Sequence, residues 1–160
     1  MISSEKRILI ASDHAGLALK LELTQRLTEW EWEDLGPHQE SSVDYPDYAQ
    51  TLGLKISFGE NQSGVLICGT GVGMAIAANK IQGVRAVCTE NPFSARLSRE
   101  HNDANVLCLG SRLLATQYAA EIVQVWLRTP FSKDPRHIQR VKKIFLLEKN
   151  NPRKNKMEKE

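Results

Sequence analysis

The sequence predicts one α/β domain with a doubly wound, five-stranded parallel sheet. Apolar runs of strand length alternate along the chain with longer segments whose apolar residues recur at helical spacing. Between residues 64 and 80, a strand, a glycine-rich turn and an alanine-rich helix follow one another directly. The length of 160 residues fits one domain with a core of its own. We expect this domain to span residues 1–148.

The five predicted strands are short apolar runs that end at glycine, proline or polar residues. They are residues 7–12, 32–35, 65–67, 84–88 and 106–109. Helical segments are predicted at residues 17–30, from Pro46 onwards, and at 74–80, 92–99, 116–127 and 135–149. Pro46 suits the first turn of its helix, because an N–H at that position has no partner within the helix. The last helix is expected to pack through Ile138, Val141, Phe145 and either Ile144 or Leu147.

The alternation of strands and helices favours the flavodoxin-like strand order 2-1-3-4-5, which is a Rossmann-like arrangement. In this order strands one and three are neighbours, and the direction of winding reverses between them. Ligands bind at the carboxyl ends of the strands at such a switch point. Asp13 and His14 follow the first strand, whereas Cys68 and Thr70 follow the third. The topology therefore predicts a carboxylate, an imidazole, a thiol and a hydroxyl in one crevice.

Three glycines, Gly69, Gly71 and Gly73, follow the third strand and should let a ligand approach the backbone. Free N–H groups at the start of the next helix would attract an anion and favour a thiolate. The alternative is that Cys68 is only a small core residue at the end of a strand. Met74 stands where a dinucleotide fingerprint needs glycine and where a phosphatase loop needs arginine, so neither motif is present.

Two further groups of polar residues could reach this crevice. Arg136 and Arg140 are four residues apart on one helix face and, with His137, could clamp a phosphate. His101 and Asn102 precede the fifth strand in a predicted loop, where functional residues are frequent. Each group has a structural alternative, since a basic helix face is often only solvated and a lone histidine often only packs.

The net charge of +2 comes from the C-terminal end of the chain. Residues 149–160 hold five Lys or Arg and two Glu, a net charge of +3, so the remaining residues carry −1. We expect a basic, disordered tail at 149–160. The nearly neutral body argues against a nucleic-acid partner, and no apolar run reaches membrane-spanning length. Three cysteines without framework spacing indicate the reducing cytoplasm, and the histidine spacing predicts no metal site.

Six motifs, in the same order along the chain, resemble the ribose/galactose isomerase family and in particular its type B ribose-5-phosphate isomerases. They are Ser12-Asp13-His14-Ala15-Gly16, Asp44-Tyr45-Pro46, the stretch 68–80, the stretch 98–105, Gly110-Ser111-Arg112 and Arg136-His137-x-x-Arg140. The resemblance runs from about Arg7 to Glu148 and leaves out only the tail. It implies a doubly wound fold, no metal or cofactor, a sugar phosphate as substrate, and a homodimer or a dimer of dimers.

The resemblance also implies residue roles in an aldose–ketose isomerisation that passes through an enediolate. Cys68 would be the base that moves a proton between C1 and C2, while Thr70 and the three glycines of the turn would hold the oxyanion. His101, helped by Asp13, would open the sugar ring. The substrate hydroxyls would be bound by Asp13, Tyr45 and Asn102, and the phosphate by His14, Arg112, Arg136 and Arg140.

The family further implies that some residues, such as Tyr45, His101 and Arg112, come from the partner subunit, so that the active site is shared. One subgroup has serine in place of the cysteine and a glutamate in the glycine turn; Cys68 and Met74 match the other subgroup. The expected reaction interconverts D-ribose 5-phosphate and D-ribulose 5-phosphate in the pentose phosphate pathway. Two alternatives stay open: a hexose 6-phosphate substrate, such as allose or galactose 6-phosphate, and a non-catalytic module that binds a sugar phosphate.

Overall fold

Five parallel strands and six helices make up the computed structural model, which describes residues 7–59 and 63–149. The strands are β1 (Arg7–Ser12), β2 (Glu31–Asp34), β3 (Ser63–Cys68), β4 (Ala86–Cys88) and β5 (Val106–Gly110). The helices are α1 (Leu17–Arg26), α2 (Tyr45–Phe58), α3 (Val72–Ala78), α4 (Pro92–Asn102), α5 (Thr116–Arg128) and α6 (Pro135–Lys149). The predicted α/β class with a five-stranded parallel sheet is therefore confirmed.

The predicted tail at 149–160 lies outside the described residues, apart from Lys149 at the end of α6. The tail and the domain boundary at residue 148 stay predictions. Across the described ranges, every helix falls short of the length and apolar character needed to cross a bilayer.

The strands stand in the order β2-β1-β3-β5-β4, which corrects the predicted order 2-1-3-4-5 at one edge of the sheet. All five residues of β5 are buried, whereas the three residues of β4 are only half-buried. A strand covered on both faces reads as a continuous apolar run and belongs in the middle of a parallel sheet. The short β4 therefore takes the edge, and the switch point between β1 and β3 is retained.

The carboxyl ends of β1, β3 and β5 meet at one side of the sheet, which we call the carboxyl edge. Ser12 lies opposite Ile67, and Cys68 lies opposite Gly110. Beyond the strands, the N–H of Asp13 donates to the carbonyl of Ile67 at 3.0 Å. The loops that follow the three central strands therefore begin side by side.

Apolar side chains fill both faces of the sheet, because successive residues of a strand point to opposite sides. Ile8 and Ile10 face a layer formed by α1, α4 and α5, in which Trp126 is fully buried. Leu9 and Ala11 face the other layer, formed by α2 and α3. The sheet that positions the carboxyl edge is thus packed on both faces.

Lys20 of α1 is a fully buried charged side chain. Its Nζ donates to Asp34 Oδ1 at 2.6 Å and to the carbonyl of Pro37 at 2.7 Å. Both contacts are needed, because an ammonium group removed from water is costly without partners. Asp34 also accepts from the N–H of Gly36, so this ion pair fixes the loop after β2.

Two helices differ from the sequence prediction in ways that matter for the site. His101 and Asn102 end α4 and do not lie in a loop. In α6, the one buried residue is His137, whereas residues 144–147 of this described helix are all exposed. The expectation that α6 packs through Phe145 and either Ile144 or Leu147 is therefore wrong for a single chain, whereas Ile138 and Val141 are half-buried as part of the same apolar face.

Candidate active site

Cys68 ends β3 at the carboxyl edge, at the base of the turn that leads into α3. The N–H of Gly71 donates to Cys68 Sγ at 3.1 Å. An amide donor at this distance stabilises negative charge on the sulfur. Cys68 is only 5 % exposed and packs with the apolar layer under α2 and α3. The alternative that Cys68 is a small core residue predicts the same burial. The thiol therefore lies buried beneath the turn, whereas Thr70 in the turn is exposed.

The turn requires glycine at position 71. Gly71 caps α3 with φ +78°, a backbone conformation that residues with a side chain rarely adopt. A Cβ at Gly71 would lie 2.9 Å from both Cys88 Sγ and the carbonyl carbon of Leu109. The amide that faces Cys68 is thus held in place by a tight approach to β4 and β5.

We expect Gly71→Ala to lower the free energy of unfolding by about 1–3 kcal/mol, because strain in φ adds to crowding by backbone atoms. Gly83→Ala is the matched control, since Gly83 also has positive φ (+82°) but its added Cβ would meet only Ser57 Oγ at 4.0 Å. Urea unfolding of both variants measures the difference. Equal destabilisation would show that the crowding at Gly71 is relieved by movement of the turn.

The loop after β1 lies against the same turn. Asp13 is buried, and its Oδ1 accepts from the N–H of Gly16 at 2.9 Å. A Cβ at Gly16 would lie 2.5 Å from the carbonyl oxygen of Ile67, so the loop is pressed onto β3. His14 is exposed, and its Nδ1 accepts from the N–H of Val43 at 3.3 Å. Asp13 and His14 therefore lie at the switch point, next to the turn, as predicted.

Ser111, for which the sequence predicts no role, connects the three loops. Its Oγ lies 2.8 Å from the carbonyl of Ala15 and 3.1 Å from that of Cys68, and can donate to either. Its N–H donates to the same Cys68 carbonyl at 2.9 Å. The Gly110-Ser111-Arg112 motif was the sequence feature that could have indicated this role.

Arg112 and Tyr45 lie beside the glycine turn of their own chain. A Cβ at Gly69 would be 3.3 Å from the Cζ of Arg112, and one at Gly73 would be 2.7 Å from the Cζ of Tyr45. This differs from the expectation that both come from the partner subunit. The reason is topological, since Arg112 follows β5, the direct neighbour of β3, and Tyr45 begins α2, which packs against α3.

The remaining predicted residues lie at the opposite, amino edge of the sheet. They are His101, Asn102, Arg136 and Arg140. α4 ends at Asn102 just before β5 begins, and the N–H of Ser132 joins the approach to α6 to the carbonyl of Glu100 at 3.2 Å. The five residues of β5 separate this edge from the carboxyl edge by about 13 Å. One chain therefore does not bring His101 to Cys68.

His137 does not belong to a phosphate clamp, although it stands between the two arginines in sequence. It is 4 % exposed and points at α4, where its ring stacks on that of His101. Desolvation, followed by the nearby His101 and Arg136, lowers the pKa of His137. Arg136 and Arg140 themselves are exposed on α6, as a group that binds phosphate from solvent must be.

The other two cysteines are poorly suited to act as a base. Burial raises the pKa of Cys108 well above its usual value and also raises that of Cys88. Cys88 Sγ lies near the turn, 3.6 Å from the carbonyl of Thr70, whereas Cys108 is fully buried. Over residues 7–59 and 63–149, no group of three His, Cys, Asp or Glu side chains is placed to hold a metal ion.

Comparison with known proteins gives the same family as the motifs. The profile of the family described as Ribose/Galactose Isomerase matches residues 8–144. Ribose-5-phosphate isomerase B of Escherichia coli (strain K12) is 46% identical over 145 residues, which cover 89% of this chain and 97% of that protein.

Two solved structures share the fold over nearly their whole length. Ribose-5-phosphate isomerase B of Clostridium thermocellum is 46% identical with a TM-score of 0.86, over 89% of this chain and 97% of that one. Ribose-5-phosphate isomerase B of Mycoplasma genitalium, solved with bound ribulose-5-phosphate, is 40% identical with a TM-score of 0.86, over 91% and 97% of the two chains. This chain belongs to the ribose/galactose isomerase family.

Proposed function

We propose that this chain interconverts D-ribose 5-phosphate and D-ribulose 5-phosphate through an enediolate, with Cys68 as the base. The observation that carries the proposal is the contact of 3.1 Å between Cys68 Sγ and the N–H of Gly71 at the switch point of the sheet. It places a proton acceptor at the glycine turn, with a backbone amide fixed against its sulfur. The relatives named for this activity, and the one solved with bound ribulose-5-phosphate, support the choice of substrate.

In the proposed reaction, the Cys68 thiolate takes the proton from C2 of the open-chain aldose. The electrons of that C–H bond form a double bond between C1 and C2, and the carbonyl oxygen on C1 becomes negative. Thr70 and the amides of Gly69, Gly71 and Gly73 face this charge. Return of the proton to C1, with transfer of a proton from O2 to O1, gives the ketose. Overall the sugar neither gains nor loses electrons, and Cys68 ends the cycle as the thiolate.

The rate contributions expected from a general base and from an oxyanion donor are large enough to support the proposed roles of Cys68 and the glycine turn. A positioned general base contributes about 10²–10⁴-fold to the rate. A single donor to an oxyanion contributes roughly 3–4 kcal/mol when it is fixed in place before the reaction. The backbone of the turn is fixed in this way at Gly71, because β4 and β5 hold it from behind.

We propose that the active site is completed by a second copy of the chain in a homodimer. His101, for ring opening, and Asn102, for a substrate hydroxyl, lie at the amino edge, away from Cys68. A two-fold axis that brings the amino edge of one subunit to the carboxyl edge of the other would complete two equal sites. Exposed apolar side chains near both edges support such contact: Val72, Ile76 and Leu113 beside the turn, and Ile144 to Leu147 on α6.

The substrate roles follow this division between the two edges. Asp13 and Tyr45 bind hydroxyls from the carboxyl edge, where His14 and Arg112 contact the phosphate. Arg136 and Arg140 approach the phosphate from α6, where both are exposed. Arginine is suited to this role, because its planar guanidinium matches two phosphate oxygens. Binding of the distant phosphate by these side chains orients the reacting carbons.

We place the enzyme in the cytoplasm, within the pentose phosphate pathway. The support for this location is that all three cysteines are free, as expected in a reducing compartment. The proposal includes no partner other than the sugar phosphate and a second copy of this chain.

Steady-state assays of the purified full-length protein test the proposed substrate. With ribose 5-phosphate we expect ketose to form at a rate proportional to enzyme concentration, and with a higher kcat/KM than allose 6-phosphate or galactose 6-phosphate gives. Tight binding of ribose 5-phosphate without turnover would instead support a non-catalytic module. A higher kcat/KM for a hexose 6-phosphate would keep the family and overturn the substrate.

A further inference from the structure

His137 is buried in a helix whose other side chains are exposed or half-buried. It is 4 % exposed, and neither the clamp nor the proposed chemistry gives it a role. A buried imidazole keeps its place in a polar helix only where its ring nitrogens have partners or its ring has a surface to pack on. Both kinds of contact are present here.

The first contact fixes one nitrogen of the ring. Ser132 Oγ lies 2.7 Å from His137 Nδ1, within hydrogen-bond distance. Ser132 is itself held, since its N–H donates to the carbonyl of Glu100 at 3.2 Å and its Oγ accepts from the N–H of Asp134 at 3.3 Å. The serine therefore links His137 to the last turn of α4, one residue before His101.

The second contact is the stack of His137 on His101. The ring centroids are 4.3 Å apart and the ring planes are tilted by 34°. His101 is half-buried, so one face of its ring lies on His137 while part of the residue reaches solvent. A ring held on one face loses most of its freedom to rotate.

The charges around His137 favour its neutral form. Desolvation is the largest cause that lowers its pKa, and His101, Arg136 and Arg140 act in the same direction. Asp134 acts in the opposite direction. A neutral His137 can pack on His101 without adding a positive charge beside it.

We propose that His137 is a positioning residue that holds the ring of His101 for opening of the furanose form of the substrate. In that step a proton leaves the hydroxyl on C1 and another reaches the ring oxygen O4. The C1–O4 bond breaks, and C1 becomes the aldehyde. His101 would move these protons, whereas His137 would touch no substrate atom. The inference rests on the proposed function, because it assigns ring opening to His101.

The two directions of the reaction separate this role from a merely structural one. Ribose 5-phosphate is mostly a closed furanose. Ribulose 5-phosphate cannot form a five-membered ring, because its O5 carries the phosphate. Ketose conversion can release the open aldehyde, which closes in solution without the enzyme. A defect in ring opening should therefore lower the initial rate from the aldose and spare the initial rate from the ketose.

Four variants of the full chain test the inference: His137→Ala, Ser132→Ala, His101→Asn and the control Ser98→Ala. We expect His137→Ala to lower kcat/KM for ribose 5-phosphate by about 10–10²-fold, the size of loss that a small misplacement causes. The rate from ribulose 5-phosphate should change by less than about threefold. We call this difference between the loss from the aldose and the loss from the ketose the split, and His101→Asn should show it more strongly. Ser98 bonds within α4, to the carbonyl of Ala95, so its variant should match the wild type.

Ser132→Ala keeps the inference testable if His137→Ala does not fold, because Ser132 is exposed and its Oγ makes two contacts, to His137 Nδ1 and to the N–H of Asp134. It should show a smaller split in the same direction. Equal losses in both directions for His137→Ala and Ser132→Ala, with the split intact in His101→Asn, would overturn the inference alone. No split in His101→Asn would overturn the ring-opening assignment and the inference with it, and a wild type inactive on both sugars would overturn the proposed function.

Discussion

Replacement of Cys68 by alanine is expected to lower kcat for ribose 5-phosphate by about 10²–10⁴-fold, the contribution of a positioned base. KM should change little, because the proposed phosphate and hydroxyl contacts come from other residues. A loss in kcat and kcat/KM together indicates an interaction made only in the transition state. Initial rates in both directions measure the effect, and it should be equally large from the aldose and from the ketose, in contrast to the split expected for His101→Asn.

Cys108→Ala is the matched control for this experiment. Cys108 packs in the same apolar layer as Cys68, and both residues are buried, but it lies in the middle of β5 and away from the turn. The same chemical change there should reduce stability slightly and leave kcat near that of the wild type. If both variants keep full activity, Cys68 is a core residue and the proposed base is wrong.

Mixing two variants that each have little activity on ribose 5-phosphate is expected to restore activity on that sugar. In a dimer of one Cys68→Ala chain and one His101→Asn chain, one site would carry both substitutions and the other would carry neither. Random association of equal amounts should recover about a quarter of the wild-type sites, because half of the dimers are mixed and each has one intact site. Activity would be measured after unfolding and refolding the two variants together, and separately as the baseline.

A second pair of variants controls for nonspecific recovery. Arg112 lies on the same edge as Cys68, beside Gly69 of the same chain. A mixture of Cys68→Ala and Arg112→Ala chains should therefore contain no intact site and show no gain over the average of its components. Absence of recovery with His101→Asn, or equal recovery with both pairs, would contradict the proposed shared site.

The sequence predicted the class of the fold well because its signals are local. Each strand is a short apolar run and each helix has apolar residues at helical spacing, so neither depends on distant contacts. The order of the last two strands depends on which strand pairs with β3, and this is a long-range choice. The full burial of β5 and the half-exposure of β4 decide it, and both become clear only once the helices are in place.

The site could be predicted in part for the same reason. Asp13, Cys68 and the glycine turn follow strands whose neighbourhood the topology fixes, and they do meet at one edge. The burial of His137 could not be predicted, since a histidine between two exposed arginines has no pattern that marks it as buried. The exposure of residues 144–147 was equally hidden, because an apolar helix face looks the same whether its own chain or another one covers it.

The contact between Gly110 and the turn has a consequence for the proposed binding of the reaction intermediate at this turn. A Cβ at Gly110 would lie 2.8 Å from the carbonyl carbon and oxygen of Thr70, so the backbone of the turn rests directly on β5. Main chain held by main chain has no rotamers to select when a ligand arrives. The conformational entropy of the turn is therefore lost during folding, not in each catalytic cycle.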